Sequence, residues 1–217
     1  MIRTMKAAIF DLDGVIVDTA KYHYLAWKRL ARELGFNFAE TDNERLKGVS
    51  RMRSLEILLE VGGVPMDEAA RQESASRKDG WYVEYVEKMD PSELLPGAVE
   101  YVRHIRSRGV RTAIASASRN APLIIKRVQI GSLFDAVVDG TKVFRAKPEP
   151  DAFLRAAREL GVAAQDCVVF EDAEAGIEAA TRAGMGSVGV GKPENLKNAD
   201  LVIPNFQLLL VISRITT

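Results

Sequence analysis

The sequence has very few cysteines and histidines and no excess of charge of either sign. Of its 217 residues one is cysteine and two are histidine, while 30 lysines and arginines balance 30 aspartates and glutamates. A single cysteine cannot form an internal disulfide, so we expect Cys167 to pack as a small apolar side chain in a reducing compartment. The balanced charge provides no basic surface for nucleic acid. A small-molecule partner is therefore favoured.

Long hydrophobic runs are also absent. The first residues contain no apolar segment typical of a signal peptide, and no run approaches the length of a membrane span. A chain of 217 residues can bury one large core and a smaller second one. We therefore expect a soluble, cytoplasmic monomer of two lobes, without nucleic-acid or membrane partners.

From residue 95 onward, short apolar segments alternate with helical patterns. Strands are predicted at 111–115, 134–138, 167–170, 187–190 and 201–203, and helices at 97–108, 121–128, 150–160 and 174–183. A further apolar strand at 6–10 opens the chain. This alternation predicts an α/β fold with a doubly wound parallel sheet.

The part of the chain between the first strand and residue 91 has helical patterns alone. Helices are predicted at 21–34, 53–61 and 67–89, with Gly35 and Pro91 as stop signals. We predict a catalytic core of residues 1–17 and 91–217 and a small all-helical cap domain of residues 18–90, called the lid segment below. Because this segment leaves and rejoins the core near one sheet edge, it should cover that edge.

The most informative motif is Asp11-Leu12-Asp13-Gly14, which directly follows the first strand. A carboxylate at the carboxyl end of a parallel strand faces a crevice and can act as a nucleophile towards phosphorus. A hard cation such as Mg²⁺ would cancel the repulsion between this carboxylate and a phosphate. The alternative interpretation is an acid-rich turn.

Three further motifs supply what phosphoryl transfer needs. Ser116 ends a strand with a hydroxyl that can hold a phosphate oxygen, Lys147 precedes Pro148 and offers a fixed cation, and Glu171-Asp172 follows another strand with two carboxylates. Each motif alone has an ordinary interpretation: the serine as a turn residue, the lysine as a solvated charge, and the Glu-Asp pair as acids at a helix N-terminus. Their common position after predicted strands indicates a magnesium-dependent phosphoryl-transfer site.

These four motifs resemble those of the haloacid dehalogenase superfamily of phosphotransferases. Within that superfamily the chain is most similar to the β-phosphoglucomutase family, through residues 18–23, Trp27, residues 46–51, 115–118 and 189–191. The resemblance implies interconversion of β-D-glucose 1-phosphate and D-glucose 6-phosphate through an aspartyl-phosphate enzyme and a β-glucose 1,6-bisphosphate intermediate. A magnesium-dependent sugar-phosphate phosphatase of the superfamily, or a non-catalytic sugar-phosphate sensor, are the alternatives.

The resemblance also implies a role for each matching residue. Asp11 would be the nucleophile, Asp13 the acid/base, and Ser116 with Lys147 would hold the reacting phosphate. Magnesium would be held by Asp11, Asp172, Glu171 and the backbone carbonyl of Asp13. In the bisphosphate intermediate one phosphate faces Asp11, and the other is called the distal phosphate below. The family's site for the distal phosphate is matched by Arg51, Ser118 and Asn120.

Other matches concern the lid and the substrate. Thr19 and His23 would couple Asp13 to lid closure through Lys78, although His23 could be an ordinary residue of an amphipathic helix and Trp27 a core aromatic. The remaining expected substrate-binding residues are Trp27, Gly48, Val49, Ser50, Ser54, Lys78, Ala117 and Arg119. Arg119 and Ala173 depart from the family pattern, which has lysine and serine at these positions. We expect neither departure to remove a catalytic group.

Overall fold

The computed structural model describes residues 5–46, 49–143 and 145–215. The strands in these ranges form one parallel sheet in the order β3-β2-β1-β4-β5-β6. Their bounds are β1 (Ala7–Phe10), β2 (Arg111–Ala115), β3 (Ala136–Val138), β4 (Cys167–Glu171), β5 (Gly186–Val190) and β6 (Leu201–Ile203). The predicted α/β fold with a doubly wound parallel sheet is confirmed.

The α-helices of the described residues connect and follow these strands. They are α1 (Ala20–Glu33), α2 (Glu40–Asn43), α3 (Arg51–Gly62), α4 (Glu68–Val86), α5 (Ala98–Ser107), α6 (Ala121–Arg127), α7 (Asp151–Leu160), α8 (Glu174–Arg182) and α9 (Phe206–Ile215). The predicted helices agree with these bounds to within a few residues. The sequence pattern missed α2, because it is a single turn, and α9, because its consecutive apolar residues hide the helical period.

The core consists of helices packed on both faces of the sheet, as successive side chains of a strand point to opposite faces. On one face Phe10 of β1 stacks on Phe170 of β4 with ring centroids 4.6 Å apart, and Phe206 of α9 packs against both rings. On the other face Ile9 and Phe153 belong to a second buried apolar cluster. The central strands β1 and β4 are buried along their whole length.

Helices α1 to α4 come between β1 and α5, and the chain enters and leaves this segment at neighbouring points. The N–H of Asp18 donates to the carbonyl of Glu93 at 3.0 Å, and the N–H of Leu95 donates to the carbonyl of Ile16 at 2.9 Å. Division of the chain into a core and a separate lid domain stays a prediction. No helix in the described part of the chain is long and apolar enough to cross a membrane.

Candidate active site

Three strand ends converge at the carboxyl edge of the sheet. Strand β1 lies between β2 and β4, and Phe10 pairs with Ile114 on one side and with Phe170 on the other. The residues that follow, Asp11, Ser116 and Glu171, are consequently close together, and all are buried. Parallel strand order thus brings together three side chains that are more than 50 residues apart in the sequence.

Lys147 joins two of these carboxylates. Its buried Nζ donates to Oδ1 of Asp11 and, at 2.9 Å, to Oε2 of Glu171. Burial alone would lower the pKa of Lys147, but the charges of Asp11 and Glu171 outweigh it and raise that pKa above its ordinary value. A permanent cation therefore lies beside Asp11.

Asp13 is held between two hydroxyl groups. Thr19 Oγ1 donates to its Oδ1, and Ser116 Oγ donates to its Oδ2 at 3.3 Å. The N–H of Asp13 in turn donates to Oδ2 of Asp11 at 2.9 Å. Burial and the charge of Asp11 raise the pKa of Asp13 to about 6, although the two hydroxyl hydrogen bonds and the charge of Lys147 act to lower it. This carboxyl group can accept and release a proton near neutral pH.

Two glycines allow carboxylates to approach the backbone closely. Gly14 has φ +81°, and an added Cβ there would overlap the carboxylate of Asp172. An added Cβ at Gly176 would overlap Glu171. The absence of a side chain at Gly14 therefore lets Asp172 lie against the loop that carries Asp11 and Asp13.

The donor set at this edge suits a hard cation. Among the described residues no group of three or more His, Cys, Asp and Glu side chains could hold a metal ion by itself. Magnesium does not need such a cage, because it is commonly bound by one or two carboxylates together with phosphate oxygens and water. The carboxylates of Asp11 and Asp172, which lie against the same loop, fit this requirement. Lys147 bonds to one oxygen of Asp11 and one oxygen of Glu171, and a cation would bind beside it.

The loop after β2 is ordered by its own hydroxyl groups. Oγ of Ser116 accepts from the N–H of Ser118 at 3.0 Å, and Oγ of Ser118 accepts from the N–H of Asn120 at 3.1 Å. Asn120 then precedes the first residue of α6. Ala117 and Arg119 are exposed at the wall of the same cavity. The predicted residues of this loop therefore reach one site.

The lid segment contributes the opposite wall. Ser50 caps α3 by accepting from the N–H of Arg53 at 3.3 Å, and Val49, Arg51 and the buried Ser54 line the cavity with it. Gly48 lies outside the described residues. The N-terminal turn of α3 therefore faces the sheet edge that carries Asp11.

Lys78 of α4 lies among aromatic rings of the lid. Its Nζ is 4.6 Å from the ring centroid of Trp27 and 4.8 Å from that of Tyr82, and it lies 3.0 Å from Nδ1 of His23. His23 stacks on Tyr82 with centroids 4.0 Å apart. Trp27 is buried and also lines the cavity, so the structure gives it both a core position and a position facing the site.

These walls enclose a cavity of about 440 Å³, the size of a small-molecule site. The cavity is lined by nearly all the site residues that the sequence predicts within the described part of the chain, namely Asp11, Asp13, Thr19, His23, Trp27, Val49, Ser50, Arg51, Ser54, Lys78, Ala117, Ser118, Arg119, Asn120, Lys147, Glu171 and Asp172. Ser116 reaches it through its bond to Asp13. The sequence did not indicate several other residues that line the cavity, among them Asn43, Asp79 and Arg145. Nothing in their local sequence marks them, because their position depends on how the helices pack.

The comparison with known families agrees with this fold and site. A family model described as haloacid dehalogenase-like hydrolase matches residues 5–184. The chain therefore belongs to the haloacid dehalogenase-like hydrolases, which confirms the superfamily inferred from its motifs.

Individual relatives are similar to the chain over most of its length. The chain is 47% identical over 201 residues to the β-phosphoglucomutase of Bacillus subtilis, covering 92% of this chain and 89% of that protein. Its structure is similar to that of β-phosphoglucomutase from Clostridium difficile, with a TM-score of 0.89, 40% identity and coverage of 94% and 93% of the two chains. It is also 30% identical to a phosphorylated carbohydrates phosphatase of Thermotoga maritima, covering 89% of this chain and 97% of that protein.

Proposed function

We infer that the chain is a β-phosphoglucomutase, which interconverts β-D-glucose 1-phosphate and D-glucose 6-phosphate. One observation carries this inference beyond the level of the family. The cavity has anion-binding groups at two places, with Ser116 and Lys147 beside Asp11, and with Arg51 and Asn120 at the wall formed by α3 and the loop after β2. A mutase that works through a sugar bisphosphate needs two phosphate sites, whereas hydrolysis of a monophosphate needs one. The 47% identity to the mutase of Bacillus subtilis supports the same reaction.

The first step we propose is transfer of a phosphoryl group between a sugar phosphate and Asp11. A carboxylate oxygen of Asp11 attacks phosphorus in line with the leaving sugar oxygen, and a P–O bond to the enzyme replaces the P–O bond to the sugar. Ser116 and Lys147 hold the phosphoryl oxygens. The ammonium of Lys147 stabilises the charge of the transition state, because its raised pKa keeps it protonated.

Asp13 moves the proton in both directions. When a sugar hydroxyl attacks the phosphorylated Asp11, Asp13 accepts the hydroxyl proton and the carboxylate of Asp11 leaves, which forms the bisphosphate. When the other phosphate of the bisphosphate is transferred to Asp11, Asp13 returns the proton to the departing sugar oxygen. A pKa of about 6 suits both tasks.

We propose Mg²⁺ as the cofactor, held by Asp11, Asp172 and the backbone carbonyl of Asp13, with Glu171 as a further candidate ligand. When bound, it neutralises phosphate charge beside the nucleophile. Glu171 holds Lys147 in any case, through the 2.9 Å bond described above.

The lid segment would protect the aspartyl phosphate from water. Thr19 links Asp13 to the start of α1, and His23, one turn further along this helix, is bonded to Lys78 of α4. Through these contacts lid closure would orient Asp13 for proton transfer. We also propose the monomer as the active form, because every group in this scheme comes from one chain.

The test measures two products at once. Purified protein is supplied with magnesium, β-glucose 1-phosphate and a trace of β-glucose 1,6-bisphosphate, and glucose 6-phosphate and free phosphate are followed in parallel. Formation of glucose 6-phosphate with little free phosphate would support the mutase. Predominance of free phosphate would instead identify a phosphatase, and the substrate would then be sought among other sugar phosphates.

A further inference from the structure

Asp79 connects the lid segment to the core through a single carboxylate oxygen. Its Oδ1 lies 2.9 Å from Nη2 of Arg51 and accepts a hydrogen bond of 3.3 Å from Nδ2 of Asn120. Arg51 begins α3, Asp79 lies on α4, and Asn120 precedes α6. One anionic group therefore binds two donors that come from opposite walls of the cavity.

These donors are the same ones that the proposed function assigns to the distal phosphate of the substrate. A carboxylate and a phosphate present similar anionic oxygen acceptors, and the guanidinium of arginine binds either with the same N–H groups. The N–H groups that now bind Asp79 cannot also bind a phosphate oxygen in the same geometry. The negative charge of Asp79 would also repel a phosphate dianion placed beside it.

The ion pair between Arg51 and Asp79 is partly shielded from solvent. The side chains of Arg51 and Asp79 are 31% and 24% exposed, so their ion pair is better shielded from water and salt than a pair on the surface. Both residues line the same cavity as Asp11. The interaction thus lies inside the proposed substrate site.

We propose that Asp79 determines how strongly the enzyme binds the second phosphate of its substrate. Its carboxylate occupies Arg51 and Asn120, holds the lid against the core, and is displaced by a ligand that carries a distal phosphate. This inference rests on the proposed function, because it takes the distal-phosphate site from it. A ligand without a second anionic group leaves the Asp79 contacts in place.

The variant that tests the proposal is Asp79→Asn, which removes the charge and keeps the size of the side chain. Turnover is prevented by Asp11→Asn in every protein compared, and binding of β-glucose 1,6-bisphosphate is measured by isothermal titration calorimetry. We expect Asp79→Asn to bind the bisphosphate about tenfold more tightly than its Asp11→Asn parent. The matched control is Glu73→Gln, which removes one negative charge from an exposed position of the same helix.

The outcomes separate this inference from the proposed function. Tighter binding in Asp79→Asn with unchanged binding in Glu73→Gln supports competition by Asp79. Unchanged or weaker binding in Asp79→Asn, or equal tightening in the control, overturns it. If the wild-type chain releases only free phosphate while Asp79→Asn still binds the bisphosphate more tightly, the mutase assignment fails and the role of Asp79 stands.

Discussion

Nζ of Lys78 lies 3.0 Å from Nδ1 of His23, so two basic groups share one hydrogen bond between α1 and α4. Burial lowers the pKa of Lys78 to about 7. The charge of Arg51 also lowers this pKa, whereas the charges of Asp79 and Asp13 raise it. Burial, followed by the charges of Lys78 and Arg51, lowers the pKa of His23 well below its ordinary value. The imidazole is therefore neutral, and its Nδ1 can accept a hydrogen bond from Nζ when Lys78 is protonated.

This arrangement predicts that Lys78 destabilises the fold at neutral pH. The pKa of Lys78 is 10.5 in its ordinary state and about 7 in the fold, so the unfolded chain binds more protons between these values and stability rises with pH there. Replacing the side chain in Lys78→Met should therefore raise the free energy of unfolding by roughly 2–4 kcal/mol at neutral and lower pH. The gain should shrink as pH rises towards the ordinary lysine pKa.

Urea unfolding at about pH 6 and about pH 9 would measure this difference. The control is Lys88→Met, which changes an exposed lysine near the end of the same lid segment. A gain in stability that is the same at both pH values, or that also appears in Lys88→Met, would contradict a buried ammonium at position 78.

Replacing the proposed nucleophile should stop all phosphoryl transfer. Asp11→Asn leaves an amide that cannot form the phosphoenzyme, and it removes a carboxylate from the Asp11–Lys147–Glu171 cluster. We expect loss of activity of roughly 10⁴-fold or more. The direct measurement is phosphate incorporation from acetyl phosphate, followed by mass spectrometry of the intact chain. Incorporation by Asp11→Asn at the wild-type rate would show that another residue is the nucleophile.

The parts of this protein that could be predicted from its sequence are those that follow from local pattern. Strand periodicity and parallel order predict that Asp11, Ser116 and Glu171 meet at one edge, and the structure brings them together. Asp79 could not be found in this way. Its contacts with Arg51 and Asn120 depend on the rotation of α4 about its axis and on how the lid segment lies on the core, and both are set by long-range packing.

Removing magnesium should inactivate the enzyme reversibly. Treatment with a chelator should abolish turnover, and added Mg²⁺ should restore it. The same ion should raise the melting temperature of the wild-type protein, because it binds the folded chain. Asp172→Asn should lose this thermal shift, whereas Glu194→Gln, which alters an exposed carboxylate, should keep it. A magnesium-induced shift that survives in Asp172→Asn would place the ion elsewhere.

Arg51 should separate the mutase reaction from simple hydrolysis. Its ion pair with Asp79 places the guanidinium at the wall of the cavity that we assign to the distal phosphate, whereas the cation bonded to Asp11 is Lys147. Arg51→Ala removes a charged donor, so we expect conversion of β-glucose 1-phosphate to slow by about ten- to a hundredfold. Hydrolysis of a small monophosphate should change little, because such a substrate has no distal phosphate.

The matched control for this comparison is Arg53→Ala. Arg53 lies two residues further along α3, and its exposed guanidinium pairs with Glu56 and Glu60 on the surface of the same helix. Its loss should leave both reactions near their wild-type rates, because surface ion pairs contribute little. Equal losses of both reactions in Arg51→Ala would count against a distal-phosphate role, since that role requires the arginine to act on the far end of a doubly anionic ligand.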